Sequence, residues 1–133
     1  MLAEMGQMVD RPPRRAESTL CEVISRLHRS GGKPGRDLAA VLAVAKLNND
    51  GVRATVAEVD RTLTETVGFN HRQTAARALE SAERAGFVEN RSDGHVYDYR
   101  VNPEAAVWLV ACLEHAATEL RALELLDDPG GEP

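Results

Sequence analysis

Residues 70–101 read NHRQTAARALESAERAGFVENRSDGHVYDYRV, and this stretch decides the fold. Asn70 followed by Gln73 has the spacing of a reciprocal helix cap, in which each side chain satisfies a backbone N–H that the first turn leaves unpaired. A helix is therefore expected from about His71 to Ala85, with Ala75, Leu79 and Ala82 facing a core and Gly86 closing it in the left-handed conformation. Two β-prone runs, Phe87–Arg91 and His95–Val101, then flank Ser92-Asp93-Gly94, which predicts a hairpin. Its register stays open. A two-residue Asp93-Gly94 loop sets Glu89 opposite Asp98, a costly like-charge pair, and a three-residue loop with Gly94 in a bulge avoids it.

Toward the N-terminus, Thr55-Val56-Ala57-Glu58 is a second cap of the same kind. It opens a helix with Val56, Val59 and Leu63 inward, and Thr66–Phe69 links it to the next. Val52–Ala54 is long enough only for a minimal strand. Before it, a helix from about Arg36 to Asn48 carries Leu38, Val41, Leu42 and Ala45 inward and stops at Asn49-Asp50-Gly51. Between Glu17 and His28, Leu20, Val23, Ile24 and Leu27 recur at i, i+3, i+4 and i+7, the spacing of one helical face; the Ser30–Gly35 cluster ends that helix. Residues 1–15, with Arg11, Arg14 and Arg15, show no periodicity and read as a mobile arm, a solvated tail being the favoured reading over contact of its arginines with a DNA backbone or minor groove.

Toward the C-terminus, Asn102-Pro103-Glu104 combines a capping side chain, a proline in the first turn and an acid at the positive end of the dipole. The last helix is expected to reach about Leu126. Leu109, Leu113, Ala116, Leu120 and Leu123 form a heptad-like seam along it. Residues 127–133 read as a disordered acidic tail.

The fold class expected is mainly α with a small β-hairpin (α+β), as one domain over residues 16–126. Its core spans 36–101, and helices 17–29 and 103–126 are left over for dimerisation. Helix, short strand, capped helix, turn, capped helix and hairpin is the order of a winged helix-turn-helix with terminal dimerisation helices. The 133 residues leave no room for a second core. No apolar run reaches the ~20 residues of a membrane span, and no secretory leader opens the chain, so a cytoplasmic address is expected. Cys21 and Cys112 lack metal or disulfide spacing and are expected to be buried hydrophobes, with a redox switch across a dimer as the alternative. His28 and His115 stand alone, and Trp108 reads as a core or interface anchor.

The net charge of −5 is unevenly spread. Residues 1–69 carry ten Lys/Arg and nine Asp/Glu, residues 70–101 five of each, and residues 102–133 one against seven, so the acid excess belongs to the last helix and tail. A nucleic-acid face needs local rather than total positive charge. The helix over 71–85 is polarised in that sense. His71, Arg72, Gln73, Thr74 and Arg77 occupy its first turns, where helix N–H groups and the dipole favour phosphate, while Glu80 and Glu83 come later. Arg pairs with guanine, Gln with adenine, and the Thr methyl meets thymine. On the hairpin, Arg91, His95 and Arg100 are placed for phosphates, and Tyr97 and Tyr99 are expected to pack it onto the core.

The run from Arg72 to Val88 resembles the recognition helix and the start of the wing in MarR-like and TrmB-like transcription regulators, small dimeric regulators of archaeal or bacterial type. The resemblance covers roughly residues 37–101, and the long last helix is similar to the dimerising helix of such proteins. It implies a homodimer that places two recognition helices in successive major grooves of double-stranded DNA, most naturally as a repressor.

No phosphate loop, nucleophile elbow or acid pair framed by a cleft occurs, so no enzymatic activity, cofactor or metal is expected, and no motif identifies a small-molecule effector. Two other functions fit the same elements: a winged helix used as a protein–protein interaction module, and a sequence-tolerant DNA-coating protein.

Overall fold

The computed structural model describes residues 19–66, 68, 72–92 and 96–123. The arm at 1–15, the tail at 127–133, the Asn70 cap and the Asp93-Gly94 turn lie outside them. The described chain is mainly helical: α1 (Leu20–Arg29), α2 (Pro34–Asn49), α3 (Val56–Thr66), α4 (Arg72–Arg84), β1 (Val88–Asn90), β2 (Tyr99–Val101) and α5 (Pro103–Ala122).

Local chemistry sets most boundaries. Thr19 is extended and its hydroxyl accepts from Glu22 N–H at 3.3 Å, so α1 begins at Leu20 rather than Glu17. Pro34 opens α2 two residues before the expected Arg36. A proline in the first turn gives up only an N–H that has no helical partner, so it starts a helix rather than breaking one. Thr55 Oγ1 accepts from Glu58 N–H at 3.1 Å, as the capping reading requires. Gly86, at φ +88°, ends α4, and Phe87 N–H reaches back to the Ala82 carbonyl at 2.9 Å. Asn102 Oδ1 accepts from Glu104 N–H at 3.0 Å and caps α5.

Helix α2 is the centre of the molecule and touches α1, α3, α4 and β2. Because it is packed on several sides, its buried set is Asp37, Ala40, Val41, Ala43, Val44 and Leu47 rather than a single stripe. This corrects the expected inward face: Leu42 is 51% exposed, and Leu38 and Ala45 are half-buried. Val59 and Leu63 of α3, Ala75, Ala78, Leu79 and Ala82 of α4, and Phe87 complete that core. Five alanines across α2 and α4 are fully or nearly fully buried, which lets the two helix backbones approach closely.

The hairpin pairs Val88 with Val101, Glu89 with Arg100 and Asn90 with Tyr99, antiparallel. Neither expected register is realised. The observed one sets opposite charges across the strands, and Asn90 Oδ1 shapes the longer connection by accepting from Ser92 and Asp98 N–H at 3.0 and 3.1 Å. The outer edge of β2 is closed from the core side. Tyr99 N–H donates to the Ala54 carbonyl at 3.0 Å, although the minimal strand expected over Val52–Ala54 does not form and the sheet has two strands. The Asn48 carboxamide donates to the Tyr99 carbonyl and accepts from Val101 N–H, both at 3.1 Å.

Helix α5 packs on α1 through its N-terminal half, where Ala105, Trp108, Leu109 and Cys112 are buried. Trp108 stacks on Phe87 (centroids 5.8 Å apart) and carries the Arg26 guanidinium over its ring at 5.1 Å from the centroid. None of residues 113–123 is buried. No helix among the described residues is long and apolar enough to cross a membrane.

Candidate nucleic-acid interface

The candidate surface is built on α4, and its placement follows from the 3-1-3 spacing of Ala75, Ala78, Leu79 and Ala82, which turns one face onto α2 and α3. Ser81 is buried on the same side. Its Oγ accepts from Arg36 Nη2 at 3.2 Å and from Arg84 Nη2 at 3.1 Å, while Arg84 Nε donates to the Ser30 carbonyl at 3.1 Å. The C-terminal half of α4 is thus latched to the α1–α2 junction, and its N-terminal half projects from a fixed base.

On the outward side, Arg77 is exposed and makes no ion pair or hydrogen bond among the described residues. Thr74 is half-buried beside it, and the first turn contains no acid. One and two turns further on, Glu80 and Glu83 are exposed. The helix therefore changes sign along its length, and only its N-terminal end suits a polyanion. His71 and His95, and the side chains of Arg72 and Gln73, lie outside the described residues.

The hairpin is less free than its composition suggests. Arg91 donates to Glu89 Oε2 from Nη2 and Nε at 2.5 and 2.9 Å, and Arg100 Nε lies 3.4 Å from Asp98 Oδ1. Both arginines expected to meet phosphates are already partnered, on neighbouring acids of their own strands. Tyr99 packs on the core as expected. Burial, then the charges of Glu83, Tyr97 and Glu80, pushes its phenol up from 10.0 to about 12. Tyr97 does not: it is 53% exposed, with its ring 5.7 Å from that of Tyr99, because the hairpin runs past the edge of the core by that point.

The residues expected at a dimer interface divide into two sets. Val23, Leu27 and Leu109 are buried within the single chain and are unavailable to a partner, and Leu20 is half-buried against the same core. The periodicity that marked them reports the contact between α1 and α5 instead. Ile24, Leu113, Leu120 and Leu123 are exposed, and Ala116 is half-buried. Cys112 is buried, and burial followed by the Glu22 charge raises its pKa. Cys21 is exposed, against expectation, because two residues before Val23 it points well away from the Val23–Leu27 face. A meeting of the two thiols across a dimer is therefore closed off by the burial of Cys112. Among the described residues no group of three His, Cys, Asp or Glu is placed to hold a metal; His115 lies 3.8 Å from Glu119.

Sequence reasoning missed three side chains that fix this surface: Asp37, Asn48 and Arg26. Asp37 carried a signal, since it falls in the inward series 37, 41, 44. Asn48 and Arg26 carried none, because their partners are distant in the chain. No family model, curated protein or solved structure matches this chain.

Proposed function

We propose that this chain is a winged helix-turn-helix protein that binds double-stranded DNA as a homodimer and regulates transcription, with α3 and α4 as the helix-turn-helix pair and the hairpin as the wing. The observation that carries the reading is the mounting of α4. Its apolar face and Ser81 are engaged by α2, α3 and the α1–α2 junction, while Arg77 and an acid-free first turn are left outward next to a hairpin. A groove-reading helix needs that combination: a rigid back, and a cation on its front available to phosphate or base. Arg91 and Arg100 would first have to leave exposed ion pairs worth about 0–1 kcal/mol each, so they serve as secondary phosphate contacts. In a dimer the two α4 helices would enter major grooves about 34 Å apart. The acidic end of α5 would lie away from the duplex.

Fluorescence anisotropy with genomic duplex fragments at several salt concentrations tests the reading. Binding that weakens steeply with salt, and that R72A/R77A abolishes without unfolding the chain, is the expected result. Absence of salt-sensitive binding to every fragment would sink it. Equal affinity for random duplexes would point instead to a sequence-tolerant coating protein.

One finding favours a second reading, a winged helix that serves as a protein–protein interaction module. The hairpin cations are neutralised internally, and Glu80 and Glu83 lie near enough to Tyr99 for their charges to raise its pKa. In that case R72A/R77A leaves function unchanged.

A further inference from the structure

Helices α1 and α5 run antiparallel where they touch. Arg26 lies over Trp108, and Glu22, one turn earlier in α1, is near enough to Cys112, one turn later in α5, for its charge to act on the thiol. The start of α1 at Thr19 and Leu20 therefore stands at about the level of His115 and Ala116. Past that level none of the described residues covers α5. Yet the face that α1 buries, with Leu109 and Cys112 on it, continues as Ala116, Leu120 and Leu123 at the spacing of one helical side, with Leu113 on its edge. Ala116 is half-buried and the three leucines are exposed. Glu114 and Arg121 sit on the opposite side of the helix, and Glu119 borders the strip, 3.8 Å from His115.

We infer that the N-terminal segment of the same chain folds back onto this strip, with Leu2, Met5 and Met8 against Ala116, Leu120 and Leu123, so that the arm takes over α5 where α1 leaves it. Place, length, content and charge select this occupant. Residues 1–18 lead into α1 at the very point where the strip begins. The strip is about 10 Å long, and residues 10–18 can span up to about 30 Å, ample for residues 1–9 to turn back and lie along it. The apolar side chains of the arm are concentrated in those first nine residues, and methionines adapt to an irregular strip. Alone, so short a segment has nothing to bury its apolar groups against; on the strip it has. Arg11, Arg14 and Arg15 put three cations in five residues, between Asp10 and Glu17, and residues 102–133 carry seven acids against one cation. A short tether also holds the arm at an effective concentration of about millimolar, which a separate molecule at micromolar concentration does not match. Val107 and Val110, exposed on another side of α5, stay uncovered by the arm.

The inference does not depend on the proposed function, and its test uses the full chain without DNA. Hydrogen exchange followed by mass spectrometry is expected to show the amides of residues 2–9 exchanging at least tenfold more slowly than in a free peptide of the same sequence. L120D is expected to remove that protection and leave the far-ultraviolet circular dichroism unchanged, since Leu120 is 56% exposed and contributes little to the core. M5D/M8D, altered at the other side of the contact, is expected to speed exchange in residues 113–123 while α1 and α2 exchange as before. Protection of residues 2–9 below tenfold overturns the inference, as does protection that survives L120D. Protection that fades on dilution through the micromolar range also overturns it, because the arm would then be covering a second copy instead of its own chain.

Discussion

The carboxylate of Asp37 occupies the space that a side chain on Gly32 would need: a Cβ there would stand 1.8 Å from Asp37 Oδ2 and 2.7 Å from Ser81 Cβ. Asp37 is fully buried and holds Arg36 Nε at 2.7 Å through Oδ1, and Arg36 in turn donates from Nη2 to Ser81 Oγ, which carries the link from α2 to α4. G32A must displace the side chains of Asp37 and Ser81, both buried, which have little room to give. It is expected to cost about 1–3 kcal/mol in a denaturant titration. R36A, which strips a buried carboxylate of its cation, is expected to cost more, about 3–5 kcal/mol.

Asn48 is the second fastening point. Its carboxamide stands in for a strand residue along β2, so N48A leaves the Tyr99 carbonyl and the Val101 N–H without partners. Chemical denaturation should show a loss of about 1–3 kcal/mol. N48D should recover only part of it, because a carboxylate accepts from Val101 N–H but has nothing to donate to the Tyr99 carbonyl.

Alkaline stability should depend on Tyr99. Its phenol ionises near 10.0 when unfolded and at about 12 in the folded chain, so the native state keeps a proton that the unfolded state has lost. The stability contributed is complete below about pH 10 and disappears as the pH rises from there to about 12, a span worth about 2–3 kcal/mol. Thermal melts across that window should fall for the unchanged protein. Y99F should remove that part of the slope; an unchanged slope in Y99F would refute the assignment.

The two cysteines should differ in reactivity. A water-soluble thiol reagent at neutral pH is expected to modify Cys21 in the native protein and to reach Cys112 only with unfolding, since Cys112 is fully buried and its thiolate is disfavoured there. Mass spectrometry of the labelled protein counts the adducts directly. Two adducts on the folded chain would contradict the burial of α5 against α1.

Releasing a wing arginine should strengthen DNA binding if the proposed function holds. E89Q removes the carboxylate that engages Arg91, and is expected to raise duplex affinity about 2- to 5-fold and to steepen the logarithmic salt dependence by about one. An E89Q titration that overlays the unchanged protein would mean that the wing does not touch the phosphates.

Much of the architecture was legible before any coordinates, because caps, turns and helical periodicity are chemistry between residues a few positions apart. Thr55 with Glu58, Asn102 with Pro103, and Gly86 at the end of α4 need no distant partner to act, and the helix ends they set stand within one or two residues of where they were expected, whereas the far end of α5, with no such signal, falls at Ala122 rather than about Leu126. Candidate-site residues were legible as chemical types but not as states. Arg77 has no partner among the described residues, whereas Arg91 and Arg100 are engaged, and nothing in the order of residues separates them.

Tertiary packing decided the rest. An apolar stripe says that a helix face will be covered but not by what, so Val23, Leu27 and Leu109 could be assigned to a core or to a partner until α1 and α5 were seen against each other. The helix α2 escaped the one-face rule because four elements surround it. The hairpin register was set from outside the hairpin, by Asn48 and Ala54, which hold β2 at hydrogen-bond distance across some fifty residues of chain. Short-range hydrogen bonding is written into neighbouring residues; the choice among competing long-range contacts exists only once the whole chain has closed on itself.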